Sequence, residues 1–183
     1  MTAFVRVGGR GGLGDGSVVT WSVAEGRRGR RWREVRVADG AVISSLLLET
    51  DPDGRFSHTE LSTAAGLLTL HPEGDGTIHG NTVGADGIGH VVGRPWDRDG
   101  LLLVEGSPIA TIAAIDRLRA RIAGGMTVEL AAIVVGLDLG LTFGPVTVER
   151  TWAGIWRVGD GPSLVHDELG LPVLAEGSDW PLE

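Results

Sequence analysis

The sequence predicts a mostly β protein built on an antiparallel sheet, with at most one or two short helices. Short runs rich in Val, Ile, Leu, Thr and Trp recur along all 183 residues. Dipeptides such as Asp39-Gly40 and Asp53-Gly54 separate these runs, and an Asp-Gly step is a strong signal for a two-residue hairpin turn. Strands do not alternate with helices along the chain, which argues against a doubly wound parallel sheet.

The strands can be placed from these runs in order along the chain. They are residues 3–7, 18–23, 32–37, 41–50, 66–71, 76–83, 90–96, 101–105, 126–135, 137–143, 146–152, 154–158 and 164–167. Two segments could form helices, residues 109–123 and residues 60–65. We treat residues 1–183 as one domain, with a Gly-rich turn at 8–17 and a tail at 174–183.

Residues 108–122 fit two periods. At helical spacing, Ile112, Ile115 and Leu118 lie along one face. At a spacing of two, Arg117, Arg119 and the next arginine alternate with apolar residues, as in a strand with one buried face. Periodicity alone leaves both structures open.

Charge and composition exclude several kinds of function. The chain has 24 acidic and 16 basic residues, all of the latter Arg, for a net charge of −8. An acidic chain is unsuited to non-specific nucleic-acid binding. The absence of Cys and Lys excludes disulfides, thiolate metal sites and lysine Schiff bases. No apolar run is long enough to span a membrane, and the first residues lack the pattern of a signal peptide, so we expect a cytoplasmic protein.

Two glycine-containing motifs are better explained by turns and loops. Residues 9–14 match Gly-x-Gly-x-x-Gly, but a predicted strand follows, whereas a dinucleotide site needs a helix there. Residues 26–33 form a basic cluster, which we expect to be a solvated loop; recognition of an anion by paired arginines is the alternative.

No pattern marks a catalytic or metal site. Ser57 and His58 are merely sequence neighbours, and no nucleophile elbow occurs. His71, His79 and His90 could meet on adjacent strands and bind a metal with Asp75 or Asp86, but scattered histidines in strands are more often structural. We predict no cofactor and no metal, and the sequence favours a binding protein over an enzyme.

The chain is rich in tryptophan, with six Trp, three Phe and no Tyr. Trp21, Trp96 and Trp152 lie in or beside predicted strands. They could be ordinary core residues, or they could line an apolar cavity or stack on a sugar ring.

One stretch carries a family resemblance. Ser107-Pro108, then Thr111, then Ala-Ile-Asp-Arg-Leu at 114–118 follow the motif order of the glycolipid-binding family, a bacterial family of unknown function. Segments at 126–135, 148–152 and 166–173 resemble the family's later strands, so that the resemblance spans residues 18–173. The chain departs from the family pattern at Thr111, Ala114 and Asp116.

The resemblance implies a strongly curved antiparallel sheet, a β-roll or half-barrel similar in shape to lipoprotein carriers. It favours a strand at 115–122 and implies that Arg117 contacts a head group. On such a strand, Arg119 points away from the apolar side as Arg117 does and could meet a charged head group at the groove rim. Glu105 is what remains of an acidic pair in the family. A curved apolar face suits acyl chains, since each buried CH₂ contributes about 0.8 kcal/mol.

We therefore predict a non-enzymatic protein that binds a lipid or glycolipid in an apolar groove, using Arg117, Arg119, Glu105, Trp21, Trp96 and Trp152. The expected partner is an amphiphilic small molecule, without nucleic acid and without integral membrane association. One alternative is a small-molecule enzyme that uses the same cavity with Asp or Glu and Arg. Another is a structural or protein-interaction β domain with a filled interior.

Overall fold

The computed structural model describes residues 5–161, 164–166 and 172–174. The predicted tail at 174–183, apart from Leu174, and most of the family-like segment at 166–173 lie outside these residues. The elements are β1 (Val5–Gly12), β2 (Val18–Gly26), β3 (Gly29–Ala38), β4 (Ala41–Thr50), β5 (Phe56–Thr63), β6 (Gly66–Pro72), β7 (Thr77–Gly84), β8 (Gly87–Pro95), β9 (Leu101–Val104), α1 (Pro108–Leu118), β10 (Met126–Val135), β11 (Leu141–Arg150), β12 (Trp156–Val158), β13 (Leu164–His166) and β14 (Pro172–Leu174).

The first sheet is an antiparallel meander in which β1 to β8 pair in chain order. The predicted turn at Asp39-Gly40 is confirmed, because Ala38 pairs with Ala41 and the two turn residues have φ of 51° and 76°. Positive φ at both central residues matches the right-handed twist of a hairpin. The prediction of a mostly β, antiparallel fold is confirmed.

The second sheet has the order β14-β13-β12-β11-β10-β9 and curls into a half-barrel. Its β9 strand pairs with β10 in parallel, with Ala132 opposite Leu101. A parallel pair of consecutive strands needs a crossover, and α1 supplies it. All four residues of β9 are buried, because this strand is covered on both faces.

The core joins both sheets and the helix. Trp21, Trp32 and Leu48 point inward from the first sheet, and Val148 and Trp156 point inward from the second. Alternation of buried and exposed positions along β2 and β3 places these side chains on one face. One cluster of buried apolar residues therefore includes both sheets and α1.

The strand predicted at 115–122 is wrong: the helix α1 spans Pro108–Leu118, and turns follow it. Ser107 accepts a hydrogen bond from the backbone N–H of Ala110 at 3.1 Å, and Pro108 occupies the first turn. Both are strong helix-start signals. Nine of the eleven helix residues are buried, Arg117 among them, so the alternating arginines do not form a polar strand face.

Three other local predictions need correction. Residues 60–65, a candidate helix, fall in the β5–β6 hairpin. The strands predicted at 137–143 and 146–152 form one strand, β11. The Gly-rich segment 8–17 is a strand up to Gly12, where a Cβ on Gly8 would lie 2.8 Å from the carbonyl oxygen of Trp21. Small residues let β1 pack closely against its neighbour.

The basic cluster at 26–33 is a hairpin rather than a loop. Gly26 pairs with Gly29 across the turn, and β3 begins at once. Along β3, the exposed Arg31 and Arg33 alternate with the buried Trp32. The inward tryptophan gives the strand a core face, which a solvated loop lacks.

Among the described residues, no helix has the length and apolar character needed to cross a membrane.

Candidate functional site

An open groove of about 380 Å³ lies where the chain after β8 passes over the β10–β11 pair. This volume is at the small end of the range for ligand pockets. The residues that line it are Pro95, Trp96, Asp97, Glu129, Leu130, Ala131, Ala132, Ile133, Phe143, Gly144 and Pro145.

The register of the second sheet supplies the floor. Ala131 is opposite Pro145, and Ile133 is opposite Phe143. Partners in an antiparallel pair point to the same face, so these four side chains form one apolar surface. Phe143 is 41% exposed and therefore offers an accessible ring.

Trp96 forms a fixed wall of the groove. Its ring meets Phe56 edge-on, with 5.7 Å between ring centroids and 79° between ring planes. Its backbone N–H donates to the carbonyl oxygen of Gly76 at 2.9 Å. A Cβ on Gly100 would lie 3.3 Å from the indole, which shows how closely the chain approaches it. The indole is held before any ligand arrives.

The polar groups of the groove are acidic. Asp97 and Glu129 are exposed carboxylates, and none of the residues lining the groove is basic. Carboxylates accept hydrogen bonds from hydroxyl groups, whereas they repel an anion at close range. The groove therefore suits a neutral, hydroxyl-bearing molecule with an apolar part better than an anionic one.

The buried face of the first sheet is not an open groove, because α1 packs on it. A cavity of about 20 Å³ remains there, between Phe56 and Leu48 on the sheet and Ala113 and Arg117 on the helix. This is room for about one water molecule. Phe56 separates this small cavity from Trp96 and the larger groove.

Arg117 lies at the end of this small cavity, within an ion-pair cluster. Its guanidinium donates to the carboxylate of Asp99 and, at 3.2 Å, to the carbonyl oxygen of Gly100. Asp99 also pairs with Arg121 at 3.2 Å and with Arg55 at 3.4 Å. Burial lowers the pKa of Arg117, and the neighbouring arginines hold the pKa of the Asp99 carboxyl below its ordinary value.

The structure does not bring the predicted site residues together. Trp96 lines the groove, whereas Trp21 is in the core and Trp152 is 88% exposed at the turn after β11. Arg119 is exposed at the C-terminal end of α1, and Glu105 is exposed just before its N-terminal end. A helix of eleven residues is about 16 Å long, which separates these two.

Sequence reasoning missed the most buried acid of the described chain, Glu34. Its Oε2 accepts from the hydroxyl of Ser107 at 2.9 Å and from the N–H of Ile109 at 3.1 Å, so it caps α1. Burial raises its pKa to about 7, against the opposing effects of these bonds and of Arg36. The signal was present: Glu34 holds an inward position of β3, two residues after Trp32.

The three histidines of the predicted cluster do not converge in the described structure. His71 and His79 are cross-strand partners with 6.5 Å between ring centroids, and His90 bonds Asn81 instead, at 2.7 Å. No group of three or more His, Cys, Asp or Glu residues that could hold a metal occurs in the described part of the chain.

Comparisons with known proteins identify the fold and nothing further. No family model and no curated protein matches the sequence. The fold is similar to the crystal structure of a DUF1089 family protein from Pseudomonas aeruginosa, with a TM-score of 0.55. The two chains are 18% identical over an alignment that covers 100% of this chain and 94% of the other. That protein's description names no ligand, and the resemblance to the glycolipid-binding family stays a prediction.

Proposed function

We propose that the protein binds a neutral amphiphile with hydroxyl groups, of the glycolipid type, in the groove beside Trp96. The observation that carries this proposal is the pairing of an apolar floor with two carboxylates and no basic residue. Acyl carbons would cover Phe143 and Pro145, which are both exposed in the groove. Sugar hydroxyls would donate to Asp97 and Glu129.

The proposed binding site lies on the surface of the second sheet, whereas the family resemblance places it inside a curved sheet. The inside is filled by α1, and Arg117 is held by Asp99. A head-group role for Arg117 would require its side chain, which is 2% exposed, to leave both Asp99 and the carbonyl oxygen of Gly100. The groove requires no such rearrangement.

The experiment is a titration with octyl glucoside below its micelle concentration, followed by calorimetry. Octanoate and glucose serve as the matched anionic and non-amphiphilic ligands. We expect octyl glucoside to bind most tightly, because only it satisfies both the apolar floor and the carboxylates. Equal binding of octanoate, or no binding of octyl glucoside at millimolar concentration, would contradict the proposal.

Variants locate the site. Phe143→Ala should weaken octyl glucoside binding by about tenfold, as expected for losing one aromatic contact of about 1–2 kcal/mol. Val42→Ala, at an exposed apolar position on β4, is the control and should bind as the unchanged protein does. If both variants bind alike, the ligand does not occupy this groove.

The charges can be tested in the same titrations. Replacing the groove carboxylates in the double variant Asp97→Asn/Glu129→Gln should narrow the preference for octyl glucoside over octanoate, because it removes the repulsion of the anion. An unchanged preference would show that these carboxylates do not face the ligand.

A further inference from the structure

One end of the molecule differs in charge from the rest. We call it the arginine end and define it as residues 25–31, 49–55, 99, 116–121 and 149–157. It contains ten of the 16 arginines but only seven of the 24 acidic residues, so it carries +3 in a chain of net charge −8. The remaining residues together carry −11 by the same count.

Contacts tie these segments into one surface. Arg30 on the β2–β3 hairpin bonds Asp116 on α1 at 2.5 Å. Arg150, the last residue of β11, donates to the carbonyl oxygens of Arg119 at 3.1 Å and Ile122 at 2.6 Å. The hairpin, the end of the helix and the end of β11 are therefore neighbours in space.

Several arginines of this end are not neutralised. Arg27, Arg28 and Arg119 are exposed and form no ion pair with any described residue. Arg121 shares Asp99 with two other arginines and keeps 43% of its side chain exposed. These cations are available to an external anionic group.

The same end presents an aromatic side chain to solvent. Trp152 is 88% exposed, and Met126 beside it is 44% exposed. The indole is also positioned: a Cβ on Gly125 would lie 2.3 Å from Trp152 Cε2, and Gly125 has φ of +79°. A glycine pair at 124–125 thus lets the ring lie close over the backbone.

We propose that the arginine end docks on an anionic lipid bilayer, with Trp152 entering the head-group layer and Arg27, Arg28 and Arg119 facing the lipid phosphates and carboxylates. Tryptophan favours the membrane interface because its ring is amphipathic. Arginines near an anionic leaflet are attracted to it, whereas charges beyond a Debye length of about 8 Å are screened.

The position of the groove agrees with this orientation. β10 starts at Met126, beside Trp152, and reaches Glu129 at the groove three residues later, about 10 Å along the strand. The docking proposal does not depend on what occupies the groove, because bilayers of ordinary phospholipids test it alone.

The experiment is co-sedimentation of the full chain with vesicles of phosphatidylcholine alone and of phosphatidylcholine with about one-third phosphatidylserine, the anionic lipid of the cytoplasmic leaflet. We expect binding to the anionic vesicles only, and its loss at high salt. The double variant Arg27→Gln/Arg28→Gln should bind about 30-fold more weakly, since each arginine near the surface contributes about fivefold. Trp152→Ala should bind about tenfold more weakly.

The control variants remove two arginines or one exposed apolar side chain outside the arginine end. Arg10→Gln/Arg94→Gln removes two exposed arginines outside the arginine end, and Ile88→Ala removes an apolar side chain that is 69% exposed on β8. Both controls should bind vesicles as the unchanged protein does. The absence of vesicle binding, or equal losses in the controls, overturns the proposal.

A heparin column distinguishes a lipid surface from a general polyanion. If heparin retains the protein as strongly as anionic vesicles do, and Trp152→Ala changes neither, the partner is a polyanion such as a nucleic acid and the proposal is wrong. If the protein does not bind vesicles but still binds octyl glucoside, the docking surface is rejected and the proposed ligand site in the groove is unaffected.

Discussion

At the scale of single residues, the two buried charged groups at the ends of α1 have opposite roles. Glu34 receives the N–H of Ile109 and the hydroxyl of Ser107 at the start of the helix, so a carboxylate meets the positive end of the helix dipole. Arg117 near the other end is buried against Asp99. Burial disfavours the charged form of Glu34, whereas the neighbouring carboxylate of Asp99 stabilises the charged form of Arg117.

The raised pKa of Glu34 makes stability depend on pH. Its pKa is about 7 in the folded chain and 4.5 ordinarily, so the folded state binds more protons between these values. The free energy of unfolding should therefore fall as pH rises from 4.5 to 7, by about 3 kcal/mol, and then level off. Urea denaturation of the unchanged protein and Glu34→Gln over this range should show a slope that the variant loses.

The control for this measurement is Glu105→Gln, which changes an exposed glutamate at the same end of the helix. It should keep the pH slope of the unchanged protein. A slope that persists in Glu34→Gln would show that another group titrates.

Arg117 should contribute mainly by filling space. Its Nε has no hydrogen-bond partner, and Asp99 is 56% exposed and keeps Arg121, so removing the guanidinium leaves no buried unpaired charge. We expect Arg117→Ala to cost about 2–3 kcal/mol and Arg117→Met less than about 1.5 kcal/mol, because methionine keeps most of the volume. Denaturation midpoints measure both, and Arg119→Ala is the exposed control. If Arg117→Met costs as much as Arg117→Ala, the ion pair matters more than packing.

At the scale of elements, α1 is the part that joins the two sheets. It follows β9 in the second sheet and lies against β3 and its neighbours in the first. Its apolar residues have partners on both sides, which is why nine of eleven are buried. A helix without a solvent face shows weak amphipathic periodicity, and this explains why its sequence also fits a strand.

Removing core volume from α1 should therefore weaken the whole protein. Ile112 is 1% exposed, and Ile112→Ala should cost about 2–5 kcal/mol. Far-ultraviolet circular dichroism and tryptophan fluorescence should show one shared transition, since both sheets use this core. Ile88→Ala, on the exposed edge strand, should leave the midpoint within about 0.5 kcal/mol. A separate early transition would mean that the helix detaches on its own.

At the scale of the whole molecule, acidic and basic residues lie on different surfaces, each of which also carries an aromatic side chain. The groove beside Trp96 is acidic, whereas the end of the molecule that carries Trp152 has an excess of arginines. A neutral ligand in the groove and an anionic surface at the arginine end are thus compatible. This division is invisible in a net charge of −8, because the arginines of that end come from four separate stretches of the chain.

The sequence by itself determined the β class, the antiparallel pairing and hairpin turns such as Asp39-Gly40, because these depend on local alternation and on residues that tolerate positive φ. It also indicated Trp96 as a candidate site residue, since an aromatic residue at the end of a strand can be recognised from the local sequence. It did not locate Phe143, Glu129 or Glu34, whose surroundings come from distant segments.

Only the tertiary structure decided between helix and strand for residues 108–118. Either period is consistent with the local pattern, but burial of nearly every side chain between two sheets stabilises a helix whose N-terminal end is capped by Ser107 and Glu34. The same packing fills the inside of the first sheet, holds Arg117 in an ion pair and leaves the open groove on the second sheet. The physical reason is that local signals such as Ser107 and Pro108 start a helix, whereas long-range packing determines which faces of these elements are buried.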